Sequence, residues 1–197
     1  MIDFYTNPLS RGAIARWMLE EIGVPYTTHT LEYGTAMKTT EYLAINPMGK
    51  VPAIVHDGVV ITEAAAICAY LADAFPQAKM APKLSDRAGY YRWLFFGAGP
   101  LEAAVTNTAL GIVVPDERRR TIGYGCLFDV LSAMDKHLSE HDYFACDRFT
   151  AADVYMGSQI GWGLSFGTIP ERASFTAYWD RIKDRPARLK AIELDGG

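Results

Sequence analysis

The spacing of apolar residues changes near residue 76. Before it, short apolar runs alternate with helical patterns. Met1–Tyr5 reads as a strand, and Arg11–Ile22 as a helix that turns Ile14, Trp17, Met18 and Leu19–Ile22 inward. Tyr26–Leu31 is a β-branched strand and Thr39–Ala44 a short helix. Ala53–Val55 and Val59–Ile61 flank Asp57-Gly58, a strong hairpin signal, and Glu63–Ala74 closes as an Ala-rich helix. The order β-α-β-α-β-β-α predicts a small mixed sheet with helices on its faces. After a polar, Pro-bearing linker over 77–84, helical periodicity takes over. It runs through Ser85–Leu110, Asp116–Leu138, Ala151–Leu164 and Glu171–Ile182, with a short Ala187–Ile192 at the end. The chain thus divides into an α/β domain over 1–76 and an all-helical bundle over 85–197.

One local signal in the second half is unusually complete. In "FTAADV", Thr150 is placed as N-cap and Asp153 at N3, a capping box, while Phe149 and Val154 supply the hydrophobic staple. Together these contribute on the order of 1–2 kcal/mol to starting that helix.

Half of the 197 residues are apolar and 21% are charged, which excludes disorder and allows a real core. The net charge is −4. Residues 1–76 carry 4 Lys/Arg against 8 Asp/Glu, and residues 77–197 carry 15 of each, so the acidity belongs to the first domain. Arg118-Arg119-Arg120 follows Asp116-Glu117 and reads as a solvated helix face, which argues against nucleic acid as a partner. No apolar run reaches the roughly 18 residues of a membrane span, and "MIDFYTNPLS" lacks the features of a signal peptide. Cys68, Cys126 and Cys146 form neither CxxC nor zinc spacing; they read as reduced, mostly buried thiols of a cytoplasmic protein, with no metal expected.

Pro52 is oddly placed at the mouth of the apolar run Ala53-Ile54-Val55. A cis proline there turns the chain sharply and leaves Val51 with a free N–H and C=O, which suit an extended peptide laid alongside. The next segment, "TEAAAI", starts a helix whose first N–H groups form an anion site. Peptide-pairing backbone beside a carboxylate-binding helix end fits a small anionic peptide.

At these residues the chain resembles the cytosolic glutathione transferases, which join a thioredoxin-like N-terminal domain (a mixed four-stranded sheet) to an all-α domain. "NPMGKVP", "TEAAAICAYLAD" and "FTAADVYMG" fall in the family's order, and the resemblance spans the whole length. It implies that Val51 holds the cysteinyl part of glutathione through its backbone, with Pro52 the cis proline. Glu63 meets the γ-glutamyl amino group, and the residue at 64 meets its α-carboxylate. The family usually carries Ser at that position, and this chain has Ala64. Lys38 or Lys50 faces the glycyl carboxylate, Lys50 being the first choice. The family also implies a homodimer, with glutathione as co-substrate.

Conjugation needs a thiolate, and a free thiol with a pKa near 8.5 is only a few per cent ionised at neutral pH. In "NPLSRGAIARW", Ser10 lies between the first strand and first helix, where its Oγ can donate to the sulfur or cap the helix. Counting back from "ARWMLEE" also places Arg11 or Leu9 at the catalytic position, and an Arg11 guanidinium would stabilise the thiolate by charge. Tyr5 offers another hydroxyl, inside a strand. The loop has no cysteine, which argues against a mixed disulfide with the protein.

The electrophile's pocket is expected in "YYRWLFFGAGPLEAAV". There Gly97, Gly99 and Pro100 interrupt a long helix, and Pro100 should clash with the Phe96 carbonyl and kink it. Tyr90, Trp93, Phe96 and Gly97 are candidates to line an apolar cleft, with Trp162 and Phe166; ordinary bundle core is the alternative for each. The reading is an enzyme that activates the glutathione thiolate for addition to a small hydrophobic electrophile. The competing readings are a glutathione-dependent isomerase, dehalogenase or reductase, and a non-catalytic binding module on the same fold. A thioredoxin-type redox protein is disfavoured by the missing CxxC.

Overall fold

A computed structural model describes residues 1–197 and divides them into two compact units, one comprising 1–81 and 185–197, the other 82–184.

The first unit is built on a four-stranded sheet in the order β2-β1-β3-β4. β1 (Ile2–Thr6) pairs parallel with β2 (Tyr26–Thr30) and antiparallel with β3 (Ala53–His56), which pairs antiparallel with β4 (Val59–Thr62). β1 alternates: Ile2, Phe4 and Thr6 are buried while Asp3 and Tyr5 are half-buried. The β3–β4 turn is made by Asp57 and Gly58, with φ of 49° and 84°, the two positive φ values that the Asp-Gly signal requires. α1 (Gly12–Ile22) buries Ile14, Trp17, Met18, Leu19 and Ile22, the inward face set by the sequence pattern, and packs against α3 (Ala64–Ala74). α2 (Thr40–Ile45) is capped by Thr39, whose Oγ1 accepts from the Tyr42 N–H.

In the second unit, α4 (Ala88–Phe96) runs through a π-helical turn, Gly97–Leu101, into α5 (Glu102–Ala109); α6 (Leu127–Glu140), α7 (Ala151–Phe166) and α8 (Ala173–Ile182) follow. The widened turn takes up Pro100, whose ring would otherwise press on the carbonyl one turn back, so the helix continues where a cleft-opening kink was expected. The expected helix over Asp116–Leu138 is broken. Asp116–Thr121 is a 3₁₀ segment, Gly125 adopts a φ of 67°, and α6 starts only at Leu127. α7 carries the core. Ala151–Ser158 are all buried, the capping box forms as patterned, and Gly157 and Gly161 let Ile182 and Trp179 approach to where a β-carbon would stand.

The last helix, α9 (Pro186–Leu194), belongs to the first unit, not to the helical bundle in which the sequence reading put it. The cause is charge. Glu20 and Glu21 at the end of α1 are nearly buried and meet Lys190 at 3.0 Å and Arg185 at 2.6 Å, while the buried Arg16 meets Asp195 at 2.6 Å. Arg188 also lies over the Trp17 ring. Two basic groups from the chain's end, Arg185 and Lys190, thus meet the acidity of residues 1–76, and Asp195 meets Arg16 in return.

Candidate functional site

Strand register brings three segments together at one end of the sheet. Tyr5 pairs with Ala53, so the end of β1 meets the start of β3; Ala53 pairs with Thr62, so β4 ends there as well. The loop Asn7–Arg11, the loop Asn46–Pro52 and the first turn of α3 therefore share one edge.

Both loops are held by the same device. Asn7 and Asn46 are buried, and each is followed by proline. The Asn7 Oδ1 accepts from the Leu9 N–H at 3.0 Å while its Nδ2 donates to the Leu31 carbonyl at 2.9 Å. The Asn46 Oδ1 accepts from the Met48 N–H at 3.1 Å while its Nδ2 donates to the Lys50 carbonyl at 2.8 Å. These are Asx turns, with proline fixing φ at the next residue. The Lys50 carbonyl also accepts from the Tyr42 phenol at 2.6 Å, and burial pushes that phenol's pKa up to about 12, so the donor keeps its proton. Sequence reasoning missed Asn7, Asn46 and Tyr42, although the repeated Asn-Pro dipeptide was the signal for two of them.

The braced second loop delivers a cis Val51–Pro52 peptide. The Val51 N–H and C=O enter neither the ladder, which begins at Ala53, nor any loop bond, so both are open to an extended ligand. Beyond β4, Glu63 has φ 67° and ψ 118°, outside the left-handed well, a conformation that costs of order 1–3 kcal/mol. It caps α3 with no side-chain hydrogen bond, and the helix opens with three alanines that offer its first N–H groups no competing partner. The edge therefore presents two backbone groups for an extended peptide, an exposed carboxylate for an amine, and a helix N-terminus for a carboxylate.

At the first loop, the Ser10 Oγ donates to the Asn7 carbonyl at 2.6 Å and accepts from the Gly12 N–H at 2.9 Å. The Asn7 carbonyl also takes the Ser10 N–H at 3.1 Å. Ser10 therefore fills the capping role that competed with catalysis, but its one proton rests on an acceptor that already has a second donor.

A model of the glutathione S-transferase N-terminal domain matches residues 13–74, and one of the C-terminal domain matches residues 109–186. The chain belongs to the glutathione S-transferase superfamily. It is 28% identical to glutathione S-transferase GstA of Escherichia coli O157:H7 over 160 residues, 79% of each chain. It is 29% identical to glutathione S-transferase 3 of Schizosaccharomyces pombe, covering 98% of this chain and 87% of the relative. A sphingomonad glutathione S-transferase complexed with glutathione superposes with a TM-score of 0.78 at 27% identity, over 98% of both chains.

Against this glutathione S-transferase frame, the structure gathers Val51, Pro52, Glu63, Ala64, Ser10 and Arg11 on one edge. Lys50 and Arg11 are exposed. Lys38 is exposed, and its Nζ donates to the Met48 carbonyl at 2.8 Å across the turn at Gly49. Tyr5 stacks on His29 at 4.6 Å, and burial, aided by Asp3, raises its pKa; its phenol stays protonated. In the helical unit, three of the expected pocket residues are core. Tyr90 and Trp93 are 0% and 1% exposed, and the side of Gly97 is filled by Met156 and Tyr155. Their helical spacing reflected burial, which periodicity cannot separate from the lining of a cleft. Phe96 and Trp162 are half-buried, and Phe166 is exposed. Cys68 is fully buried, and burial pushes its thiol pKa up; Cys126 and Cys146 are half-buried. No helix is long and apolar enough to cross a membrane.

Proposed function

We propose that this glutathione S-transferase binds glutathione along the edge formed by Val51, Glu63 and α3, and ionises its thiol beside Ser10 for attack on a small apolar electrophile. The observation that carries the reading is the juxtaposition of the unpaired Val51 backbone with the strained, exposed Glu63 at an uncapped helix start. The backbone of Val51 takes the cysteinyl residue, Glu63 the γ-glutamyl ammonium, and the N–H groups of α3 its α-carboxylate. Lys50, exposed beside Val51, is the cation nearest in sequence for the glycyl carboxylate.

The thiol proton leaves to water. Ser10 then turns its hydroxyl from the Asn7 carbonyl to the sulfur, which exchanges a neutral hydrogen bond for a charge-assisted one roughly twice as strong. The Asn7 carbonyl keeps the Ser10 N–H, so the exchange leaves no buried acceptor empty. With the field at the start of α1, this amounts to about 1–2 kcal/mol, or a thiol pKa about one unit lower. A sulfur–carbon bond then forms. In a displacement the leaving group departs with the electron pair; in an addition the carbon chain takes a proton from solvent. Within the helical unit, half-buried Phe96 and Trp162 and exposed Phe166 are the proposed apolar side chains open to a ligand. A homodimer and a cytoplasmic location belong to the same proposal.

Ser10→Ala should lower kcat about tenfold and leave glutathione affinity within about twofold, in steady-state assays with glutathione and an activated aryl chloride. Full activity in that variant would move thiolate stabilisation to Arg11 or to backbone N–H groups. A serine at position 64 would add a hydroxyl beside the helix start. Ala64→Ser is expected to tighten glutathione about fivefold by calorimetric titration, the worth of one hydrogen bond of about 1 kcal/mol. An unchanged affinity would mean that the α-carboxylate is held elsewhere.

A further inference from the structure

Thr6 ends β1 at the edge that carries Ser10, and its hydroxyl has no structural use. The side chain is fully buried, and Oγ1 has no hydrogen-bond partner. An isosteric valine would fill the same space, suit a strand equally and avoid an unsatisfied polar group. The hydroxyl faces the start of α1. A β-carbon added to Gly12 would stand 1.9 Å from the Thr6 Oγ1 and 2.9 Å from the Ser10 Oγ, so the two hydroxyls crowd one spot that only glycine leaves free.

Ser10 meanwhile needs a further donor when it works. With its proton on the Asn7 carbonyl, its oxygen accepts only the Gly12 N–H. A serine that gives its proton to a sulfur becomes a better donor when a second hydrogen bond polarises its oxygen. The uncommitted hydroxyl proton at the same spot over Gly12 is that of Thr6. We infer that Thr6 is a positioning residue for the thiol-activating step: its hydroxyl donates to the Ser10 Oγ as the Ser10 proton turns from Asn7 to the sulfur of bound glutathione. No bond to Thr6 forms or breaks; it changes only which lone pair of Ser10 is occupied. The inference rests on the reading of Ser10 given above and extends it by one residue.

The experiment compares the wild-type chain with Thr6→Val and Thr6→Ser, measuring kcat, KM for glutathione, the ultraviolet thiolate titration of bound glutathione and the urea unfolding midpoint. Thr6→Val is expected to lower kcat about fivefold and raise the bound-thiol pKa by about half a unit, with KM within about twofold. Its unfolding midpoint should equal or exceed that of the wild type, because an unpaired buried hydroxyl has been removed. Thr6→Ser should recover most of both losses. A merely structural threonine would instead give a lowered midpoint in Thr6→Val with kcat and thiol pKa unchanged, and that result overturns the inference while leaving Ser10 in place. A wild-type chain that binds glutathione with an unshifted thiol pKa removes the Ser10 reading and this inference together.

Discussion

Asp153→Ala will cost about 4 kcal/mol of stability, enough to unfold much of the helical unit under mild urea. The carboxylate sits at the third position of α7 and is 0% exposed. It accepts from the Phe144 N–H at 2.9 Å, the Thr150 N–H at 2.9 Å, the Thr150 Oγ1 at 3.0 Å and the Tyr178 hydroxyl at 3.1 Å. Removing it strands four buried donors drawn from the preceding loop, the cap and α8, each worth about 1–3 kcal/mol when unpaired, only some of which will find other partners. Asp153→Asn keeps the shape but turns an amide nitrogen toward donors, and should cost roughly 2–3 kcal/mol. Burial pushes the Asp153 pKa up to about 6 against the opposing pull of its four donors. The folded chain therefore binds this proton more tightly than the unfolded chain. Stability from this group is full below about pH 4 and falls, by up to about 3 kcal/mol, as pH rises to about 6. Urea midpoints of wild type and Asp153→Asn should converge over that interval and run parallel above it. A gap that widens with rising pH would contradict the assignment.

The second large effect is at Arg16. Its guanidinium is 3% exposed, donates to Asp195 at 2.6 Å, to Thr28 at 3.2 Å and to Tyr26 at 3.3 Å, and lies 5.1 Å from the centre of the Phe4 ring. Burial raises the Asp195 pKa, and Arg16 is the charge that opposes the shift. Arg16→Met leaves Asp195 without its counter-charge and should destabilise the first unit by about 3 kcal/mol. α9 will then detach more often, and limited proteolysis should cut within 186–194 at least tenfold faster than in wild type. Arg16→Met combined with Asp195→Leu removes both charges and should recover much of the loss. Equal cleavage rates in wild type and Arg16→Met would show that α9 is held by its apolar face and by the Arg185–Glu21 and Lys190–Glu20 pairs alone.

The sheet and the edge that carries the candidate site were legible because their signals are local. Asp57-Gly58 forms its turn, alternation in β1 assigns its faces, and Thr150 with Asp153 forms the cap. Pro52 and Glu63 were readable for the same reason, each standing at the end of a short strand. What escaped depends on distance or on hydrogen bonding. α9 is tied to α1 by ion pairs between residues 164 and 179 positions apart in the chain. The Lys38 ammonium bonds a carbonyl ten residues away. Tyr90 and Trp93 have the same spacing whether they line a cleft or fill a core, and only burial separates the two. The Ser10 hydroxyl was ambiguous in the sequence because it serves a cap and a nucleophile with the same atom, and the structure shows the cap.

The most direct test of the central claim is a pH titration of thiolate absorbance for glutathione bound to the wild-type chain, beside Ser10→Ala. The expected result is a bound-thiol pKa about one unit below the free value of about 8.5, and a return toward that value in the variant. Saturable binding with an unshifted pKa would make this edge a peptide-holding scaffold without thiol activation, and no binding at all would contradict the glutathione site itself.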